Sequence, residues 1–150
     1  MTDPLALDRQ VCFAVVAASR SLVAVYKPIL EPLGLTHPQY LVMLALWESS
    51  PLRVKDLGER LLLDPATLSP LLKRLEKQGL LTRARDSSDE RSLALALTPA
   101  GTALRQRAEQ VPGQVIERLG LSISELEGIR DSATALLFAS RATPPSTTSP

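Results

Sequence analysis

Few side chains in this 150-residue chain can do chemistry of their own. It has one cysteine, Cys12, and one histidine, His37. Cys12 lies in the apolar stretch QVCFAVVAASR (10–20). A free thiol in such company reads first as a small buried hydrophobe and second as an oxidisable nucleophile. If Asp8 caps the first helix, Cys12 sits in its first turns, where the helix dipole favours a thiolate. Arg9, three residues before it, lies on an adjacent face, and Asp8, four before it, opposes the effect. One cysteine cannot close an internal disulfide, as expected of a reducing compartment. No metal-ligand cluster and no glycine-rich phosphate loop accompanies it, so no cofactor is expected.

The second chemistry on offer is electrostatic. The net charge is only +1, but residues 53–91 carry a net +2, against −1 for residues 1–52 and 0 for residues 92–150. A basic face can therefore sit in the middle of a nearly neutral chain. The segment LDPATLSPLLKRLEKQGL (63–80) lies within it. Asp64 is an N-cap, Pro65 stands at N1 and Gly79 is a C-terminal stop. Leu68, Leu71, Leu72 and Leu75 follow the i, i+3, i+4, i+7 rule of a buried helix face. The opposite face offers Ala66, Pro70, Lys73 and Lys77, flanked by Ser69 and Arg74. That surface is small and cationic, suited to close approach in a DNA major groove. Pro70 removes the bond to the Ala66 carbonyl, so either the helix tolerates the loss or it starts near Thr67.

The surrounding elements must position these groups. Asp3-Pro4 offers an N-cap and N1 proline, and Asp8 a further cap, for a first helix ending or kinking near Pro28. A turn at 32–38 leads to an almost wholly apolar second helix over 38–48, with Thr36 or His37 near its cap. VKDLGERL (54–61) is a short helix preceding the basic one. Beyond Gly79 the period changes. LLTRAR (80–85) and RSLALALT (91–98) flank the polar DSSDE, and Leu93, Leu95 and Leu97 alternate, as in a β-hairpin. Its arginines, Arg83, Arg85 and Arg91, reach for phosphates or a minor groove, with Asp89 placed to orient Arg91. Thr98-Pro99 caps a helix to about residue 119, and Ser124 with Glu127 forms a capping box for a last helix to about residue 140. The proline-rich end, 141–150, reads as a disordered tail.

Short helix, turn, longer helix and hairpin is the order of a winged helix-turn-helix, in a mainly α chain with a small β wing. The first helix is apolar around Val11–Ala18 and again at Leu22–Val25, and the last two helices carry more leucine than a small lobe needs, which asks for a partner. No signal peptide and no run of about 18 uninterrupted apolar residues is present. The expectation is a cytoplasmic protein with no membrane partner.

LLLDPATLSPLLKRLEKQGLLTRARDSSDERSLALALTPAG (61–101) resembles the DNA-binding core of MarR-family regulators, DER followed by LT..G being its most specific part. QVCFAVVAASR, YKPIL and LTHPQYLVMLALWE extend the likeness to the family's organic-hydroperoxide-sensing repressors of one-cysteine type, over residues 8–140. The resemblance implies a homodimer through helices at 4–31 and 99–140, with a winged lobe at 38–98 that binds a pseudo-palindromic double-stranded operator. It implies DNA contacts by Thr67, Ser69, Pro70, Lys73, Asp89 and Arg91. It also implies that Cys12 is oxidised by an organic hydroperoxide to a sulfenic acid. With no second cysteine, a low-molecular-weight thiol, a sulfenamide or overoxidation must then make the change last. Tyr26 matches a tyrosine that the partner subunit contributes. His37 stands where the family's YPQY motif has a second tyrosine, and Val16 where a third would be. His37 can donate one hydrogen bond when neutral, and as an imidazolium would stabilise a thiolate more strongly. Two other functions fit the chain: a regulator sensing a lipophilic or phenolic ligand without cysteine chemistry, and, less well, a thiol peroxidase, which would need turnover.

Overall fold

Capping by Thr36, Asp64 and Thr98 sets three helix starts where the sequence puts them. The computed structural model describes residues 3–86 and 88–142, with the side chains of 86 and 89–91 outside the described set. The helices are α1 (Val11–Leu30), α2 (His37–Glu48), α3 (Val54–Leu61), α4 (Pro65–Lys77), α5 (Pro99–Ala108), α6 (Val111–Leu119) and α7 (Ile123–Ala142). The strands are β1 (Leu52–Arg53), β2 (Leu81–Asp86) and β3 (Asp89–Leu97), in an antiparallel sheet of order β1-β3-β2. The chain divides into two compact units, Met1–Pro112 and Gly113–Pro150.

The first unit has a leucine core. Leu30, Met43, Leu46, Leu57, Leu68, Leu72, Leu75, Leu81 and Leu95 are fully buried. Truncating one such leucine to alanine costs about 2–5 kcal/mol. Asp64 caps α4 by accepting the Thr67 N–H at 2.7 Å. Pro70 lies inside α4, so the helix tolerates the lost bond rather than starting later. Gly79, at φ +75°, turns the chain from α4 into β2.

The LT..G motif locks the base of the hairpin. Thr98 accepts the Gly101 N–H at 3.0 Å and donates to the Gly79 carbonyl at 2.6 Å. A Cβ on Gly101 would lie 2.0 Å from the Leu80 carbonyl oxygen, so only glycine lets α5 approach the strand so closely.

Several expectations need correction. The first helix starts at Val11, not near Pro4. Asp8 lies in a 3-10 turn, Leu7–Arg9, and Asp3 accepts the Leu5 N–H instead of capping a helix. The helix expected over 99–119 is two, α5 and α6, because Pro112 has no N–H for the Ala108 carbonyl. The last capping box uses Ser122 and Glu125, not Ser124 and Glu127. Ser122 N–H donates to Glu125 at 2.8 Å and Glu125 N–H returns to Ser122 Oγ at 3.2 Å. Gly120, at φ +66°, follows the end of α6 two residues before Ser122. The strands run further into the expected tip, so Asp89 stands on β3, paired with Asp86. Helix α7 includes Arg141 and Ala142; the rest of the expected tail, 143–150, lies outside the described residues.

Helix α1 is thinly covered, with only Leu30 buried among its twenty residues. Val11, Phe13, Val15, Val16, Leu22 and Val23 are exposed. By length and composition alone, Val11–Leu33 is long and apolar enough to cross a membrane. Counting uninterrupted apolar residues misses it, because Arg20 and two serines punctuate the stretch. In the second unit, α7 exposes Ile129, Leu136, Leu137 and Phe138.

Candidate functional site

Cys12 is exposed, as the second residue of α1. Tyr26 lies on the same helix fourteen residues on, roughly 21 Å along a straight α-helix at 1.5 Å per residue. The thiol and this phenol therefore do not meet within one chain. His37 does meet Tyr26: their rings pack edge to face with centroids 5.0 Å apart and planes at 66°. The row continues through Tyr40, 5.9 Å from Tyr26, to Trp47, 6.5 Å from Tyr40. Trp47 Nε1 donates to the Gly101 carbonyl at 2.9 Å. The sequence reading missed Tyr40 and Trp47 as members of this row. Their signal was the spacing 37, 40, 47, one face of a helix.

The local sequence builds this corner. Thr36 caps α2 in a full capping box with Gln39, placing His37 at N1 with Pro38 behind it. Burial pushes the Tyr26 phenol above its ordinary value, so it stays protonated as a hydrogen-bond donor. Tyr40 is raised by burial and then by the neighbouring Tyr26. Burial lowers His37 below its ordinary 6.5, which favours the neutral ring. The structure thus supports the single-donor form of His37, not the imidazolium that would hold a thiolate more strongly. A lowered folded value means the unfolded chain takes up the proton first. Folding stability should then fall as pH drops below about 6.5. The expected result is a lower melting temperature at pH 5.5 than at pH 7.5. A His37→Gln variant should lose part of that pH dependence; an unchanged profile would remove His37 as its source.

A cleft of about 470 Å³ opens beside the ring pair, lined by Val23, Ala24, Leu35 and His37 together with exposed Arg20 and Lys27. Its walls come from the second half of α1, the connection that includes Glu31, Leu35 and Thr36, and the start of α2.

On α4, Leu68, Leu72 and Leu75 are buried and Leu71 half-buried. Thr67, Pro70, Lys73, Arg74 and Lys77 are exposed, and Ser69 is half-buried. The two sets occupy opposed faces, as the leucine spacing requires. On β2, Arg85 is exposed. Arg83 is not simply presented to solvent: its Nε donates to Glu76 of α4 at 2.7 Å, tying the wing to that helix. Asp89 and Arg91 lie on the β3 backbone, but their side chains, and the bond expected between them, lie outside the described residues. The sequence also gave no sign of β1, which is too short for a periodic pattern. Its Arg53 donates to Ser88 at the hairpin turn at 3.2 Å.

Two helices joined by a tight turn, followed by a hairpin with a third short strand, define a winged helix-turn-helix protein. The chain belongs to the MarR family, whose model matches residues 35–93. It is 46% identical to the organic hydroperoxide resistance transcriptional regulator of Bacillus subtilis (strain 168), over 89% of either chain. Solved structures of AbfR, a protein of Staphylococcus epidermidis, are also similar. Reduced AbfR bound to DNA superposes with a TM-score of 0.70 at 32% identity, covering 87% of this chain and 93% of that one. Overoxidised AbfR bound to DNA gives 0.70 at 34% identity, covering 89% and 94%. The chain is therefore a MarR-type transcriptional regulator and not an enzyme.

Proposed function

We propose that this regulator is a homodimeric repressor that holds a pseudo-palindromic operator while Cys12 is a thiol and releases it after oxidation by an organic hydroperoxide. The observation that carries the reading is the corner formed by Tyr26 and His37, which lies far along α1 from the exposed Cys12. The two halves of such a site meet only if a second copy supplies one of them. The exposed apolar faces of α1 and α7 are the surfaces for that copy, within dimerisation segments spanning 4–31 and 99–140.

In this scheme the Cys12 sulfur attacks the distal peroxide oxygen. The O–O bond breaks, an S–O bond forms and an alcohol leaves: thiol plus ROOH gives sulfenic acid plus ROH. The phenol of Tyr26 and neutral His37 donate to the reacting oxygens. A low-molecular-weight thiol then displaces water from the sulfenic acid, leaving a mixed disulfide. AbfR has been solved overoxidised and still bound to DNA. That favours the bulkier mixed disulfide over a sulfinic acid as the releasing form.

Thr67, Ser69, Pro70, Lys73 and Arg74 of α4 enter the major groove, with Arg85, Asp89 and Arg91 along the wing of the 38–98 lobe. Arg83 serves them by fixing the wing to α4 through Glu76. Release follows when the two recognition helices leave a half-site spacing of about 34–36 Å.

The cleft beside His37 favours one second reading, a regulator of the same operator type that takes a lipophilic or phenolic ligand there. Intact-mass analysis with parallel operator binding separates the two. Substoichiometric cumene hydroperoxide, with a small thiol present, should modify Cys12 and release DNA in proportion. Release with Cys12 unmodified, or complete modification without release, would overturn the redox reading.

A further inference from the structure

Gln39 is the one buried polar side chain among the described residues, 4% exposed. A buried amide is costly unless its oxygen and nitrogen are both engaged. Its Oε1 accepts the Thr36 N–H at 3.0 Å, completing the cap of α2. Its Nε2 donates away from the cap, to Oε1 of Gln78 at 3.4 Å. Gln78 is the residue that ends α4, and its own Nε2 donates to the Gly34 carbonyl at 2.7 Å. Gly34 sits at φ +71° in the turn between α1 and α2, whose beginning is held by Arg107 of α5 through the Pro32 carbonyl at 2.6 Å.

These bonds make a closed strap. Both sides of the turn that delivers His37, Gly34 before it and Gln39 after it, grip one side chain at the end of the recognition helix. A capping box alone needs only Thr36 and the Gln39 oxygen. The bonds made by Gln78 add nothing to that cap. Their effect is to join the His37 corner to the junction of α4 and β2.

We propose that Gln39 and Gln78 are positioning residues that transmit the oxidation state of the Cys12 site to the recognition helix. The proposal rests on the redox reading above. Displacement of His37 and Tyr26 by modified Cys12 moves the α1–α2 turn. Through Gln78 that movement shifts the end of α4, and with it the start of the wing.

The test compares wild type with Gln78→Ala, a variant at an exposed position that leaves the capping box intact. Operator dissociation constants are measured for reduced protein and for protein fully modified at Cys12 by cumene hydroperoxide and a small thiol, with modification verified by mass. The ratio of the two constants is the readout. Gln78→Ala should lower it about tenfold, the scale of two net hydrogen bonds. Its reduced-state affinity should stay within about threefold of wild type and its rate of Cys12 oxidation should be unchanged. A ratio equal to wild type overturns the link, as does a loss of affinity shared by both states, which would make Gln78 merely structural. A wild type that keeps its operator after oxidation overturns the redox reading and the link with it. Gln39→Glu gives a second reading, because a carboxylate still accepts from Thr36 but cannot donate to Gln78 when ionised. It should lower the same ratio, and a wild-type ratio there counts against the proposal.

Discussion

Replacing Cys12 with serine should leave operator binding intact and abolish release by organic hydroperoxide. Serine is close to the thiol in size and its hydroxyl can still donate and accept in the site shared with the second copy, so the reduced dimer should be little disturbed. The reduced-state dissociation constant should therefore stay within about twofold of wild type. Serine keeps the size and position of the group but has no sulfur to accept the peroxide oxygen. The wild-type ratio of oxidised to reduced constants, expected in the range of about 5–150 for an allosteric switch, should fall to one. Met43 is the other described sulfur, and it is fully buried in the core. It is a poor substitute for an exposed thiol. Operator-binding titrations against cumene hydroperoxide check this directly. Peroxide-dependent release by Cys12→Ser would sink the thiol mechanism and leave the cleft beside His37 as the sensing site.

Legibility from the sequence divides along the distance over which each feature is specified. Asp64 with Pro65, Thr36 with Gln39, and Thr98 with Gly101 are signals contained in a few residues, and each lies at a helix start. The winged lobe could be read because these signals follow one another in the right order. The last capping box failed for a local reason: two S-x-x-E patterns overlap, and the upstream one, Ser122 with Glu125, makes the cap. The Glu76–Arg83 pair and the strap from Gln39 to Gln78 depend on backbone meetings that no periodicity announces. Strand β1 is visible only through its register, Leu52 opposite Leu95. Cys12 is the instructive case. Its neighbours have the composition of a core, yet in one chain it is exposed along with most of α1. A hydrophobic pattern says that a face needs covering; it does not say whether the same chain or a second copy covers it.

The operator complex should be strongly salt-dependent. Each subunit offers Lys73, Arg74, Lys77, Arg85 and Arg91 along α4 and the wing. A dimer using about six to ten phosphate contacts should lose roughly 10³- to 10⁵-fold in affinity between 50 and 200 mM salt. The slope of log affinity against log salt sorts the arginines of the wing. Arg85→Ala removes one contact per subunit, so the slope should become shallower by about 1.8 for the dimer. Arg91→Ala should behave in the same way. Arg83 differs because its guanidinium is engaged with Glu76 at 2.7 Å, and that pair sets the wing against α4. Arg83→Ala should weaken binding by a similar factor at every salt concentration, with the slope unchanged. Glu76→Gln should reproduce that uniform loss, since it breaks the same pair from the other side. A slope that flattens in Arg83→Ala as it does in Arg85→Ala would show that the pair opens on DNA and that Arg83 contacts phosphate directly. A slope near zero in the wild type would remove the cationic face from the account of binding.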